Sequence, residues 1–336
     1  MTATVPTSAT TTMRAAVQRS YAGPEAMHLE TVEAPTPGPG EVLIQVRAAG
    51  IDRGVWHLAT GRPLVMRVIG FGLRRPRRPI AGGDVAGVVI GIGSGVTRFA
   101  LGDEVLGAAA GSYAELAVAQ ESALAAKPSS LSFAEAAATP VSGVTALKAV
   151  ERAGIEPGQR VLVLGASGGV GSFATQLAVA AGAQVTGVAS AAKAAMVRAL
   201  GATDVIDYRA TDVTSLDHEF DVIIDTGGLT PLRRLRRILS PAGTLVIVGG
   251  EGGDALMGGT MRALRAPLAA LFTRQRLMGL MSITTAEPLE ALTARIVAGD
   301  VRPALTRTYP LAEAPAALAD LAAGRIAGKA AIVVAP

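Results

Sequence analysis

VLVLGASGGVGSFATQLA, residues 161–178, joins a short apolar run to an apolar segment with helical spacing through a turn rich in glycine. Ala166, Gly168 and Gly171 form an A-x-G-x-x-G pattern in that turn. A strand–turn–helix unit of this kind binds dinucleotides, because its glycines let the chain turn sharply and let a pyrophosphate approach the amides at the helix N-terminus. A connection without a ligand is the alternative, but a Gly168–Gly169 pair at a helix start would then lower stability without a compensating role. The segment therefore predicts a dinucleotide site, with a turn formed by Ala166, Ser167, Gly168, Gly169, Val170 and Gly171.

The chain on either side of this turn alternates between strand and helix patterns. Ser132 and Glu135 form a capping-box signature for a helix that we expect to end near Gly154. A further helix is expected near 230–239. Four later apolar runs are typical of parallel strands covered on both faces, at 184–189, 204–208, 221–225 and 244–250. These repeated units predict a doubly wound parallel sheet of Rossmann type.

The two ends of the chain have a different character. From Met13 to about Pro128, short strand patterns are separated by turns such as PTPGPG at 35–40, which predicts a β-rich domain. Residues 257–280 are apolar with interspersed arginines, and we interpret them as a helix covering a core, with a pocket wall or subunit contact as alternatives. Two amphipathic helices and a closing strand at 330–334 are expected after Pro288.

Composition excludes several classes of protein. The 336 residues include no cysteine, so disulfides and thiolate zinc sites are absent. The net charge of +4 comes without a basic stripe interleaved with aromatic residues, and we expect no nucleic-acid partner. Residues 161–192 are uncharged but broken by glycines, so we expect no membrane partner. The N-terminal residues lack the pattern of a secretory signal, and we expect a cytoplasmic protein.

The choice of cofactor depends on the end of the second strand of the unit. An NAD enzyme holds the ribose 2′-hydroxyl there with an acidic residue, but no acid occurs between Glu156 and Asp204. Ser190, Lys193 and Tyr208 stand where a 2′-phosphate would lie, so NADPH is the predicted cofactor. The alternative is that Lys193 is only a solvated helix residue.

Several motifs along the chain resemble those of the medium-chain dehydrogenase/reductase superfamily, and more closely its zinc-independent quinone oxidoreductase branch. They are GPGEVLIQVRAAGI, GGDVAGVV, GDEVLG, GSYAELAV, PVSGVTAL, ASGGVG, LGATDVIDYR and AGKAAIVV. The resemblance implies an α/β protein with a GroES-like β-rich catalytic domain (13–131 and 285–336), a Rossmann cofactor domain (132–284) and a disordered tail (1–12). It places the active site between the domains and implies further cofactor contacts from Ser142, Thr145, Thr226, Gly227, Val248 and Gly249.

The resemblance also bears on metal binding. Zinc-dependent relatives bind catalytic zinc at positions that hold Asp52, Gly83 and Ala138 in this sequence. One potential ligand of three does not form the usual three-ligand zinc site, so we predict a metal-free enzyme.

We therefore predict NADPH-dependent transfer of hydride to a small-molecule acceptor such as a quinone, enone or other activated double bond. Asp52 and His57 are the catalytic candidates, with His57 giving a proton or a hydrogen bond to the acceptor unless it is a surface residue. A carbonyl or alcohol dehydrogenase and a non-catalytic NADPH sensor remain the alternatives.

The assembly is expected to be a homodimer. Residues 277–283, LMGLMSI, would leave an apolar edge strand exposed in a monomer, unless segment 257–276 covers that edge.

Overall fold

The computed structural model describes residues 12–252, 255–271 and 273–334. Its first part forms an antiparallel β domain that contains one helix, α1 (Arg53–Thr60). The strands of this part are β1 (Thr12–Gln18), β2 (Met27–Glu33), β3 (Glu41–Ile51), β4 (Asp84–Ile92), β5 (Glu104–Ala108), β6 (Leu116–Gln120) and β7 (Leu124–Ala126). β1 and β2 form a separate two-stranded sheet, while β3 is the central strand of the larger one and pairs with both β4 and β6.

The middle of the chain forms a six-stranded parallel sheet in the order β10-β9-β8-β11-β12-β13. The order reverses beside β8, as in a doubly wound fold, and this confirms the Rossmann prediction. Its strands are β8 (Arg160–Leu164), β9 (Gln184–Ala189), β10 (Asp204–Asp207), β11 (Phe220–Asp225), β12 (Leu239–Ile247) and β13 (Arg276–Gly279). Its helices are α2 (Phe133–Ala137), α3 (Pro140–Ala153), α4 (Gly169–Ala180), α5 (Ala194–Ala199), α6 (Leu232–Leu235) and α7 (Thr260–Ala270).

The chain then returns to the first domain. Helix α8 (Ala286–Val297) packs beside α3, and β14 (Leu305–Pro310), α9 (Ala314–Ala322) and β15 (Lys329–Val333) follow. β15 pairs antiparallel with β3, giving the sheet order β14-β15-β3-β4-β5-β7. The last strand is therefore part of the N-terminal sheet, as in a GroES-like domain interrupted by a Rossmann domain.

Several expected elements differ in extent. The helix expected from Ser132 to Gly154 is two helices, because Pro140 lacks the N–H that would continue the first helix through Thr139. The helix expected near 230–239 is only α6, and residue 239 already belongs to β12. The edge strand expected at 277–283 ends at Gly279, and β14 was not anticipated.

The predicted domain boundaries stay predictions. Helix α2, which the sequence assigned to the cofactor domain, packs against β3 and β4 of the other domain. Of the predicted tail, residues 1–11 lie outside the described residues, and Thr12 already begins β1. Among the described helices, none has both the length and the apolar character needed to cross a bilayer.

Candidate active site

The glycine turn after β8 lets a ligand come close to the backbone. Gly165 has φ +77°, a left-handed conformation that favours glycine, and Gly168 caps the start of α4. The first amides of α4 lack partners within the helix, and the helix dipole places partial positive charge there. Gly171 allows α4 to lie against the turn, because a Cβ at that position would overlap the carbonyl oxygen of Gly165.

The turn opens into a cleft of about 560 Å³ between the two domains. Its walls include nine residues that the sequence predicted, namely Asp52, Ser142, Ser167, Gly168, Gly169, Val170, Lys193, Thr226 and Gly227. Gly227 leaves space toward this cleft, since a Cβ there would meet no atom closer than 3.8 Å. Unpaired helix amides, glycine walls and the volume together fit a dinucleotide.

The other predicted site residues do not line the cleft. They are His57, Thr145, Ala166, Gly171, Ser190, Tyr208, Val248 and Gly249. Ala166 and Gly171 lie beneath the turn, and Gly249 packs against the carbonyl of Thr226 behind the cleft wall. These three residues support the wall and do not form its surface.

One end of the cleft is cationic. Nζ of Lys193 donates to the carbonyl oxygens of Gly324 at 2.8 Å and Ile326 at 2.7 Å, so the lysine bridges the two domains. Burial lowers the pKa of Lys193, and the nearby charge of Arg209 lowers it further. Arg209 stacks over the ring of the exposed Tyr208 at 5.6 Å. Sequence reasoning missed Arg209, although it directly follows Tyr208.

The other end of the cleft contains a buried lysine. Lys329 is 1% exposed, and its Nζ donates to the carbonyl oxygen of Ile51 and to Oγ of Ser142, both at 3.0 Å. Since Oγ of Ser142 accepts this bond, its own proton remains available toward the cleft. Lys329 was missed as a site residue, although a lysine beginning the apolar run AAIVV was a visible signal.

Two aspartates lie near the positions of the family's zinc ligands. Asp52 caps α1 through a bond from the Val55 amide to its Oδ1 at 3.1 Å. Asp84 is fully buried and accepts from the Val141 amide at 3.1 Å. Burial raises the pKa of Asp84, the charge of Asp52 raises it further, and Lys329 opposes both. In the part of the chain that the structure describes, no group of three or more His, Asp or Glu side chains could hold a metal ion.

Glu251 lies at the edge of the cleft in the cofactor domain and contacts α1. Its Oε1 lies 3.1 Å from Nε of Arg53 and 3.4 Å from Nε2 of His57, while Nδ1 of His57 lies 2.8 Å from the carbonyl oxygen of Arg62. Burial acts to raise the pKa of Glu251, but the hydrogen bond from His57 and the charge of Arg53 outweigh it and hold that pKa below its usual value. His57 therefore faces Glu251, while Glu251 and Arg53 face the cleft. Neither Glu251 nor Arg53 was predicted from the sequence.

Comparison with known families assigns both parts of the chain. Residues 38–129 match the alcohol dehydrogenase GroES-like domain, and residues 200–332 match the zinc-binding dehydrogenase family. The chloroplast envelope quinone oxidoreductase homolog of Arabidopsis thaliana is 32% identical over 342 residues, which cover 96% of this chain and 98% of that protein. The 2-methylene-furan-3-one reductase of Solanum lycopersicum is 33% identical over 251 residues, covering 71% of this chain and 62% of that protein.

Solved structures agree with this assignment. The quinone oxidoreductase from Coxiella burnetii has a TM-score of 0.85 and 29% identity, covering 96% of this chain and 100% of that one. A mycobacterial protein complexed with NADPH has a TM-score of 0.79 and 25% identity, covering 96% and 99%. The chain is thus an oxidoreductase with a nicotinamide cofactor-binding domain. It belongs to the medium-chain dehydrogenase/reductase superfamily, in the group of the quinone oxidoreductases.

Proposed function

We propose that this enzyme is an NADPH-dependent, metal-free reductase that transfers hydride to a quinone, an enone or another activated double bond. The observation that carries the proposal is the interdomain cleft. It has a glycine turn at its centre, Lys193 with the charge of Arg209 nearby, no acidic residue directly after β9, and Asp52 in place of a zinc ligand. The names of the relatives support the acceptor class, since they include quinone oxidoreductases and an enone-type reductase.

The cleft residues would hold NADPH along its length. The first amides of α4 and the guanidinium of Arg53 suit the pyrophosphate. Lys193 and Arg209 suit the 2′-phosphate, because two neighbouring cations gain from a shared anion. Ser142, whose hydroxyl accepts a hydrogen bond from Lys329, would lie beside the nicotinamide end of the cofactor.

The bound dihydronicotinamide supplies the hydride, and the chain supplies position and hydrogen bonds. The Ser142 hydroxyl can donate to a ligand in the cleft, since its acceptor side is occupied by Lys329. Asp52 cannot donate while ionised. His57 is a positioning residue that holds the side chain of Glu251 at the edge of the cleft. Reduction of the acceptor would require one proton besides the hydride, and water that reaches the cleft would supply it.

Zinc independence rests on the residue types at three positions. Gly83 and Ala138 offer no side-chain ligand, so Asp52 would have to bind zinc with at most the buried Asp84 beside it. Elemental analysis of the purified protein should give well under one zinc per chain, and chelator should leave turnover unchanged. A full equivalent of zinc that is needed for turnover would contradict the proposal.

We also propose a homodimer formed along β13. This strand pairs only with β12 among the described strands, and α7 packs on it where Gly279 meets Ala263. Met281 and Ile283 follow β13 and are 85% and 76% exposed. A twofold contact through this edge would cover those side chains.

The test is NADPH oxidation with a panel of acceptors, namely a quinone, an enone and a saturated ketone. We expect turnover with the quinone or the enone, and transfer of deuterium from 4-deuterated NADPH to the product. Gly168→Glu should abolish turnover, because a carboxylate would face the proposed pyrophosphate site. Ala294→Glu adds the same charge on the exposed side of α8 and should leave turnover unchanged.

Two outcomes would support the other functions. Turnover of only the saturated ketone would identify a carbonyl reductase. Tight NADPH binding without oxidation by any acceptor would identify a sensor.

A further inference from the structure

The segment 62–78, RPLVMRVIGFGLRRPRR, has a composition unlike the rest of the chain. It contains six arginines and no acidic residue. It follows α1 and includes a π-helical turn, Arg67–Phe71. We call it the basic apolar segment.

Its outer side exposes aliphatic side chains. Val68, Ile69 and Leu73 are 71%, 63% and 69% exposed, although side chains of this type are usually buried. They lie within six positions of one another and beside exposed arginines, so the apolar surface is local and bordered by positive charge.

The arginines differ in their surroundings. Arg67 has a structural role, since it stacks on the ring of Tyr21 at 4.3 Å and donates to the carbonyl oxygen of Gly61 at 2.9 Å. The other five are exposed, and within the described ranges no side-chain hydrogen bond or ion pair engages them: Arg62, Arg74, Arg75, Arg77 and Arg78. Many other arginines of the chain face a carboxylate, as Arg307 faces Asp320 at 2.6 Å.

The backbone of the segment is held in place. The hydroxyl of Tyr21 lies 2.7 Å from the carbonyl oxygens of both Phe71 and Gly72. The amides of Leu64 and Val65 donate, each at 2.9 Å, to carbonyl oxygens of residues 255 and 256 in the cofactor domain. The inner side of the segment and α1 line a cavity of about 400 Å³. Anchored on this side, the segment keeps its aliphatic side chains directed outward.

We propose that the basic apolar segment binds the surface of a bilayer that contains anionic lipids. Unpaired arginines complement lipid phosphate and carboxylate groups, and a cluster of four to eight basic residues is typical of such contacts. Val68, Ile69 and Leu73 would enter the boundary between headgroups and acyl chains. Nucleic acid would use the same charges, but its charged and polar surface would bury three neighbouring aliphatic side chains less well than the acyl chains of a bilayer.

This inference goes beyond the reductase activity and departs from the sequence-based expectation of no membrane partner. That expectation excluded any membrane partner, and it rested only on the absence of a spanning segment, whereas the contact proposed here is peripheral. It would bring the enzyme to the phase in which apolar quinones dissolve.

The experiment is flotation of the full-length protein with vesicles of phosphatidylcholine alone or with about 30% phosphatidylserine, at about 0.05 M and about 0.5 M salt. We expect binding to the anionic vesicles at low salt, at least tenfold weaker binding at high salt, and none to neutral vesicles. Failure to bind anionic vesicles, or equal binding to neutral ones, would overturn the proposal.

Matched variants locate the surface. Arg74→Ser with Arg75→Ser should weaken binding at least fivefold, whereas Arg233→Ser with Arg237→Ser removes the same charge from exposed positions around α6 and should not. Val68→Ser with Ile69→Ser should also weaken binding, and Leu101→Ser with Val297→Ser, at exposed positions elsewhere, should not. Equal losses in the control variants would show a general charge or apolar effect and overturn the assignment. Melting temperature and NADPH oxidation should stay unchanged in all four, which separates this proposal from the reductase function.

Discussion

Nζ of Lys329 lies 3.0 Å from Oγ of Ser142, and this bond ties the last strand of the catalytic sheet to helix α3 of the cofactor domain. Both side chains are buried, and the same ammonium also donates to the carbonyl oxygen of Ile51 at the end of β3. A buried ammonium is costly unless its donors are satisfied, so these bonds fix where the two domains meet at the end of the cleft that we propose for the nicotinamide.

The hydrogen bond between Lys329 and Ser142 should give a coupling energy in a double-mutant cycle on NADPH affinity. Lys329→Met and Ser142→Ala should each weaken NADPH binding about tenfold, and the double variant should lose little more, giving a coupling of about 1 kcal/mol. Titration of NADPH fluorescence measures all four affinities. Lys127→Met is the control, since the Lys127 side chain is also buried but its ammonium bonds the carbonyl oxygens of Pro128 and Leu131 and pairs with Glu104, away from the cleft. Additive losses would show that the two side chains act separately.

The proposed contact with the 2′-phosphate of NADPH should depend on Arg209 and Lys193. Arg209→Ala should weaken NADPH binding roughly 10- to 100-fold and NADH binding less than about twofold, because a hydrogen bond to a charged group contributes about 1.5–3 kcal/mol. Lys193→Ala should also weaken NADPH binding, and it should weaken NADH binding somewhat, since this lysine bridges to Gly324 and Ile326. Arg198→Ala, on the exposed side of α5, is the matched control. Equal affinity of the unmodified protein for NADPH and NADH would contradict the assignment.

Glu251 should stabilise the protein in a pH-dependent way. Its pKa is lowered in the folded state, so the stabilisation is complete above the ordinary value of 4.5 and is lost as pH falls through the folded value. Glu251→Gln should lower the melting temperature by about 1–2 °C near pH 6, as expected for a partly exposed ion pair of about 0.5 kcal/mol, and the difference should shrink below pH 4.5. Glu287→Gln, at an exposed position in the first turn of α8, is the control. A difference that grows on acidification would contradict a lowered pKa of Glu251 in the folded protein.

His57→Ala tests whether this histidine gives a proton or positions Glu251. As a positioning residue, it should reproduce the kinetic effect of Glu251→Gln, and the two changes should not add. As the proton donor, it should lower kcat for an enone at least tenfold where Glu251→Gln does not, and it should remove a basic limb from the pH profile.

Gly171 should tolerate no side chain. Gly171→Ala should destabilise the protein by about 1–3 kcal/mol and weaken cofactor binding, because its Cβ would meet the carbonyl of Gly165 and move α4 away from the turn. Gly83→Ala should have little effect on stability, since a Cβ there meets nothing within 4 Å. Thermal unfolding of the two variants makes the comparison. Equal stability of both would show that α4 can shift at little cost.

The proposed dimer should depend on the residues that follow β13. Met281→Glu with Ile283→Glu should convert the dimer to a monomer in light scattering at micromolar concentration, because the twofold contact would bury four added charges. Val297→Glu, at an exposed position of α8, should leave the mass unchanged. A monomeric unmodified protein would reject the homodimer.

Local sequence predicted the glycine turn and the parallel strands of the cofactor domain, although several of its other elements differ in extent. The glycine turn, the apolar runs of the parallel strands and the absence of an acid before Asp204 are features of neighbouring residues, so they could be identified without coordinates. The start of a helix at Ser132 followed from its capping box, which the structure contains. The break at Pro140 was visible too, but helical spacing on both sides of it hid the change of direction.

The cleft itself was decided by tertiary structure, because its walls come from distant parts of the chain. Lys329 reaches Ser142 across 187 positions, and Lys193 reaches Gly324 across 131, and no sequence period relates such pairs. His57 carried a catalytic prediction from its residue type and from its place in the family resemblance, yet its Nε2 faces Glu251 of the other domain, and His57 does not line the cleft. Sequence therefore determined the local units that can bind a cofactor, while packing of one domain on the other decided which side chains face it.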